Sequence, residues 1–157
     1  MDHVTVRDIM TKDAITVRAE TSLIEAAKIM TDHKFNGLPV VDESGALVGI
    51  ITEYNLISSA SGIHLPTLQS VLGNLPIFSK DKTEFTEEIA AVTKLTAKDV
   101  MNNDPLTLAS TATYDEVVRA FQDHHGVNPI PVIDSTRKLV GVVSRYDVLK
   151  PLAQKAE

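Results

Sequence analysis

The chain repeats itself, and a repeat constrains the fold more than any single motif does. Thr5-Val6-Arg7-Asp8-Ile9-Met10 returns as Thr96-Ala97-Lys98-Asp99-Val100-Met101. Leu38-Pro39-Val40-Val41-Asp42 returns as Ile130-Pro131-Val132-Ile133-Asp134. Leu47-Val48-Gly49-Ile50-Ile51-Thr52-Glu53-Tyr54-Asn55 returns as Leu139-Val140-Gly141-Val142-Val143-Ser144-Arg145-Tyr146-Asp147. The spacing grows by one residue partway along, which places an insertion at Gly126, just before Val127-Asn128-Pro129.

Both copies share a local grammar. Ile15-Thr16-Val17 and Leu106-Thr107-Leu108 are short β-favouring runs set off by Asp13 and by Asp104-Pro105. Ser22-x-x-Glu25 and Thr113-x-x-Glu116 then announce helices. Leu23, Ala26, Ala27 and Met30 fall at helical spacing, as do Tyr114, Val117, Val118 and Phe121. Two β runs follow in each copy, joined by the turn formers Asp42-Glu43-Ser44-Gly45 and Asp134-Ser135-Thr136-Arg137. A second helix is expected to start near Thr52 and Ser144, whose hydroxyls can cap a first turn.

The fold class is therefore α/β (α+β), built from two tandem β-α-β-β-α units. Residues 1–60 form the first unit, 96–157 the second, and 61–95 a helical connecting arm. Each unit alone buries too little surface to be secure. The copies are expected to pack about a pseudo-two-fold axis as one body. In the arm, Ser58-Ser59-Ala60-Ser61-Gly62 reads as flexible, and Leu65, Leu68, Val71, Leu72, Leu75 and Ile77 as an amphipathic helix. Phe85, Ile89, Val92 and Leu95 mark another. The arm either covers the module or docks a second copy or an effector.

Composition removes several function classes. Absence of cysteine excludes disulfides, thiolate metal sites and a Cys nucleophile. A net charge of −6 opposes a duplex nucleic-acid partner, and the few aromatics supply no stacking platform. No apolar run approaches the roughly 20 residues of a membrane helix, and Met1-Asp2-His3-Val4 does not open a signal peptide. A cytoplasmic protein without nucleic-acid or membrane partners is expected. No Gly-x-Ser-x-Gly, His-Glu-x-x-His, phosphate loop or Gly-x-Gly-x-x-Gly is present, so an enzyme is not expected. His33, His124 and His125 end helices, where a cation suits the dipole, and they form no expected metal site.

The doubled order of Asp-Ile/Val-Met, [Leu/Ile]-Pro-Val-[Val/Ile]-Asp and Gly-x-x-[Ser/Thr]-x-x-[Asp/Asn] resembles a pair of CBS domains, a Bateman module. The resemblance covers both copies and leaves out the arm. It implies regulation: such pairs commonly bind adenosine-containing ligands (AMP, ADP, ATP, S-adenosylmethionine, dinucleotides) between the repeats, and a partner protein responds. No cofactor is implied.

A hydroxyl at a helix start lies beside free N–H groups and can cradle phosphate. A carboxylate one turn on can accept ribose hydroxyls. Ser144 and Asp147 have that spacing, with Arg145 as a nearby cation. The resemblance adds Thr107 as a ligand contact, with Asn128, Pro129, Ile130 and Pro131 as a slot for the base and Met101 beside it. A weaker second site is expected from Met10, Thr16, Asn36, Gly37, Leu38, Pro39, Thr52 and Asn55, where Asn55 replaces the carboxylate and Glu53 the cation. The alternatives stand beside these: Ser144 and Thr52 as plain helix caps, Asp147 as a first-turn stabiliser, and Gly49 and Gly141 as sites of a bulge or of close backbone approach. The whole module then reads either as a nucleotide sensor or as a ligand-free interaction module with a decayed cleft. Leu56, Ile57, Val148 and Leu149 suggest a symmetric homodimer.

Overall fold

In the computed structural model, residues 4–53 and 94–153 are described. The first repeat contains α1 (Val6–Ile9), α2 (Leu23–His33), β1 (Gly37–Val41) and β2 (Leu47–Thr52). The second contains α3 (Ala97–Val100), β3 (Leu108–Ala109), α4 (Tyr114–Asp123), β4 (Ile130–Ile133), β5 (Leu139–Val143), a 3-10 turn (Asp147–Leu149) and α5 (Lys150–Ala153). The first helix of each repeat starts where the sequence placed it. Ser22 accepts the Glu25 N–H at 3.2 Å, and Thr113 and Glu116 form a reciprocal capping box. Leu23, Ala26, Ala27 and Met30 are buried, as are Val117 and Phe121, while Tyr114 and Val118 are half-buried.

Each hairpin is antiparallel, and its register shifts at the same place in both copies, between Val40 and Val41 and between Val132 and Ile133. The Asp42 carboxylate accepts the Ser44 N–H and hydroxyl and the Ala46 N–H; Asp134 does the same for Thr136 and Lys138. The short first strand pairs parallel to β4 in the second repeat. In the first repeat it shrinks to a single bridge, Val17 to Val40. The second helix of the first repeat, the arm to residue 93, and Asn55, Leu56 and Ile57 lie outside the described residues.

The short helices α1 and α3 were not expected from the repeated motif, and neither was their placement. Each packs in the core of the opposite repeat. Val6, Ile9 and Met10 join Leu108, Val117, Phe121, Ile130, Val132 and Val143. Ala97 and Val100 join Val17, Leu23, Met30, Leu38, Val40 and Ile51, with Met101 packed against them. The hydrogen bonds are correspondingly paired. Val6 N–H donates to the Ala112 carbonyl and Ala97 N–H to the Thr21 carbonyl, each at 2.8 Å. Thr11 and Val142 exchange two backbone bonds of 2.8 and 3.0 Å, and Asn102 and Ile50 exchange two of 2.9 and 3.0 Å. Leu47 N–H donates to Arg137 and Leu139 N–H to Gly45. Every one of these contacts occurs twice with the copies interchanged, which is the pseudo-two-fold.

This exchange accounts for the strand glycines. A Cβ on Gly49 would lie 2.6 Å from Met101 Sδ and 2.8 Å from the Asn102 carbonyl oxygen. On Gly141 it would lie 2.8 Å from Met10 Sδ and 2.7 Å from the Thr11 carbonyl oxygen. Both glycines border the register shifts of their hairpins, and the close approach of the opposite repeat leaves no room for a Cβ at either.

Three predictions follow from this packing. Gly49→Ala and Gly141→Ala are each expected to lose about 1–3 kcal/mol in denaturant unfolding, as overpacked cores do. Met101→Ala should not restore Gly49→Ala, since the Asn102 carbonyl still blocks the methyl. The second prediction concerns Arg137, which is left-handed at φ 63°, where its counterpart is Gly45 at 83°. Arg137→Gly is expected to stabilise by about 1 kcal/mol, or about 2–4 °C in Tm.

The third concerns acid. Backbone N–H bonds from Thr5, Thr96 and Thr113, followed by the same residues' hydroxyls, hold Asp8, Asp99 and Glu116 below their ordinary carboxyl values. Hydroxyl bonds from Ser44 and Thr136 lead in doing so for Asp42 and Asp134. A pKa depressed on folding contributes stability that is complete above the unfolded value, here 3.8 for the aspartates, and is lost as pH falls through the folded value. Tm should therefore be level from pH 7 to about 5 and fall below about 4. Asp8→Asn with Asp99→Asn should flatten that fall; an unchanged slope would refute this assignment.

Candidate functional site

Because each short helix sits in the opposite repeat, the chain leaving it passes in front of that repeat's hairpin. The Thr11–Val142 bonds tie the first such segment to β5, and the Asn102–Ile50 bonds tie the second to β2. Two clefts flank these ties, each walled by both repeats; a further one, of about 510 Å³, lies between Arg18–Glu20, Val41–Glu43 and Lys98 with Met101. The larger of the two, of about 480 Å³, takes Thr11, Asp13, Ala14 and Ile15 from the chain after α1 and Lys34–Gly37 with Pro39 from the loop into β1. Its opposite wall is Asn128, Pro129, Val142, Ser144, Tyr146 and Asp147. That volume suits a small-molecule ligand. The smaller cleft, of about 130 Å³, is lined by Ile50, Thr52, Asn102, Pro105, Leu106, Gly126, Val127, Pro129 and Pro131.

Asp147 is the buried carboxylate of the larger cleft, 6% exposed. Its Oδ2 accepts the Ser144 N–H at 2.7 Å and the Ser144 hydroxyl at 2.8 Å. Its Oδ1 pairs with Lys150 Nζ at 2.6 Å, and that ammonium also donates to the Ile9 carbonyl at 2.7 Å. Asp147 thus caps its own helical turn and ties it to α1. An ionised carboxylate has about four lone-pair sites, so it retains acceptor capacity toward the cleft. Ile15, Phe35 and Tyr146 are large exposed apolar side chains on the same cleft.

The expected residues divide between these surroundings. Asn128, Pro129, Ser144 and Asp147 share the larger cleft, and Asn36, Gly37 and Pro39, expected in the other site, stand there with them. Thr52 and Pro131 line the smaller one. Thr16 and Thr107 are half-buried and line neither. Ile130 and Leu38 are fully buried core residues. Met10 and Met101 pack on the glycines of the opposite repeats and line neither of these two clefts. Arg145 turns away: its guanidinium donates to the His125 carbonyl and lies 6.0 Å from the Phe121 ring centroid. Its N–H instead donates to Asn128 Oδ1 at 3.1 Å. Val148 packs against the core, whereas Leu149 is exposed.

Thr11, Asp13, Ala14, Ile15, Lys34, Phe35, Val142 and Tyr146 line the larger cleft without having been expected there. The expectation paired each hydroxyl-bearing ending with the first strand of its own copy. A motif that occurs twice gives no sign of which copy it packs on, so the crossed pairing was invisible. The clefts differ at corresponding positions Gly37 and Pro129. A Cβ on Gly37 would meet Pro129 Cδ at 2.9 Å, so glycine keeps this junction open. The Pro129 ring borders both clefts. Glu53, the counterpart of Arg145, accepts from Asn36 Nδ2 at 2.9 Å. Among the described residues no group of three or more His, Cys, Asp or Glu is arranged to hold a metal ion. Among them, no helix is long and apolar enough to cross a membrane.

Comparison with known proteins accords with this geometry. The chain is 29% identical over 143 residues to L-aspartate semialdehyde sulfurtransferase of Methanocaldococcus jannaschii, a match covering 91% of this chain but 22% of that enzyme. The crystal structure of CBSX2, an Arabidopsis thaliana protein, in complex with AMP superposes with a TM-score of 0.72 at 26% identity, covering 98% of this chain and 99% of that one. The CBS domain pair of protein MJ0100, in complex with 5′-methylthioadenosine and S-adenosyl-L-methionine, gives 0.66 at 28% identity, covering 97% and 98%. The model of the CBS domain matches residues 6–62 and 97–154, one span for each repeat. Two copies of that domain, each completed by a helix from the other, place this chain in the CBS domain family as a CBS pair.

Proposed function

We propose that this CBS pair is a regulatory module without catalysis of its own, which binds an adenosine nucleotide in the larger cleft. The observation that carries this reading is that the cleft joins Ser144 and Asp147 of one repeat to apolar walls from the other. The Asp147 carboxylate, with the Ser144 hydroxyl donating to its Oδ2, accepts a ribose hydroxyl. Ile15, Pro39, Pro129 and Val142 flank the base. CBSX2 and MJ0100, with AMP and with sulfur nucleosides respectively, are relatives of the same fold and support that ligand class. A ligand touching both repeats favours one of their arrangements by its differential affinity, and a partner protein reads the result. The acting form is a cytoplasmic homodimer, and Leu149 is one apolar residue available to its interface.

A second reading has its own support. Ser144, Asp147 and Lys150 satisfy one another, so that ending serves as a plain cap without a ligand. A ligand-free interaction module would look the same. Thermal shift separates them: a ligand at a hundred times its Kd adds about 2.7 kcal/mol, some 5–10 °C here. At least one of AMP, ADP, ATP and S-adenosylmethionine is expected to give that shift. By calorimetry Asp147→Ala should weaken it about ten- to a hundred-fold, the loss of a hydrogen bond to a charged group. The melting temperature of Asp147→Ala without ligand is the control for folding. No shift with any of the four would establish the interaction module. Light scattering that returned the 17.1 kDa monomer at micromolar concentration would remove the dimer.

A further inference from the structure

We infer that the larger cleft selects adenosine with a single phosphate over longer phosphate chains, and that Lys34 reads that phosphate. The inference rests on the nucleotide-site reading above and narrows it. The charged groups on the cleft walls are Asp13, Lys34 and Asp147. Asp147 is neutralised by Lys150 at 2.6 Å, on the side of the carboxylate away from Ser144. Arg145, the cation that the sequence places next to Ser144, is withdrawn to the His125 carbonyl and the Phe121 ring. Lys34 is what remains. It ends α2 in the left-handed conformation, φ 55°, with its N–H on the carbonyls of Met30 and Thr31. Its side chain is exposed, and no ion pair engages it among the described residues.

One ammonium matches one phosphate, which carries about −1.5 to −2 charge at neutral pH. Each further phosphate adds negative charge without a further cation. Asp13, held on the same wall at φ 53°, opposes it. Like charges brought together at a binding surface are a means of rejecting the wrong ligand.

Calorimetry on the full chain with adenosine, AMP, ATP and S-adenosylmethionine tests this. AMP should bind about tenfold or more tightly than the other three, the worth of one charge-assisted contact. Lys34→Ala should remove the preference of AMP over adenosine and leave adenosine binding as it was, which a merely structural role for Lys34 would not do. Asp13→Asn should narrow the gap between AMP and ATP. ATP or S-adenosylmethionine binding as tightly as AMP, or an AMP-to-adenosine ratio unmoved by Lys34→Ala, overturns the inference while leaving the nucleotide site intact. Binding by none of the four overturns both.

Discussion

The structure depends on an exchange of two short helices. α1, from the start of the first repeat, completes the core of the second, and α3 does the reverse. Each contributes apolar side chains that are almost wholly buried: Val6, Ile9 and Ala97 are at most 2% exposed. Burying such side chains is worth roughly 1.5–3 kcal/mol for the larger ones, a large share of what a unit of this size can muster. Neither repeat is therefore a finished domain. The chain folds as a pair because each half holds a part of the other's interior.

That exchange also makes the clefts composite. A segment leaving α1 must cross β5 before it can start its own repeat, and Thr11 is bonded to Val142 on the way. Both repeats thus supply polar and apolar groups to the larger cleft, Asp13, Ile15 and Lys34 from the first and Pro129, Ser144 and Asp147 from the second. Anything bound there contacts both halves. The cleft is itself the seam between two bodies that share their cores.

The polar groups at that seam serve two purposes. Asp147 caps Ser144 and, through Lys150, is linked to the Ile9 carbonyl at the end of α1. The buried carboxylate of the larger cleft is thereby connected to the exchanged helix. The two clefts have the same ancestry in the repeat yet differ in size and chemistry. Glycine stands at 37 where proline stands at 129, and Glu53 reaches back to Asn36 where Arg145 turns to His125. Small substitutions in a duplicated frame have made the sites unequal.

Much of this was legible in the sequence, because it is local. The helices at Ser22 and Thr113 follow from capping chemistry and the spacing of Leu23 to Met30 and Val117 to Phe121. The hairpins follow from Asp42 and Asp134, whose side chains close their own turns. The duplication itself announces the pseudo-two-fold, and Ser144 with Asp147 is a pattern within one helical turn. What the sequence could not decide is which copy each duplicated segment belongs to in space. Thr5–Met10 and Thr96–Met101 are so alike that either assignment satisfies the same apolar pattern; connection length and the close contacts at Gly49 and Gly141 choose between them only in three dimensions. From that one choice follow the crossed clefts, the removal of Met10, Met101 and Arg145 from them, and the arrival of Asp13, Ile15 and Lys34. Local hydrogen bonding wrote the elements, and long-range packing composed the site.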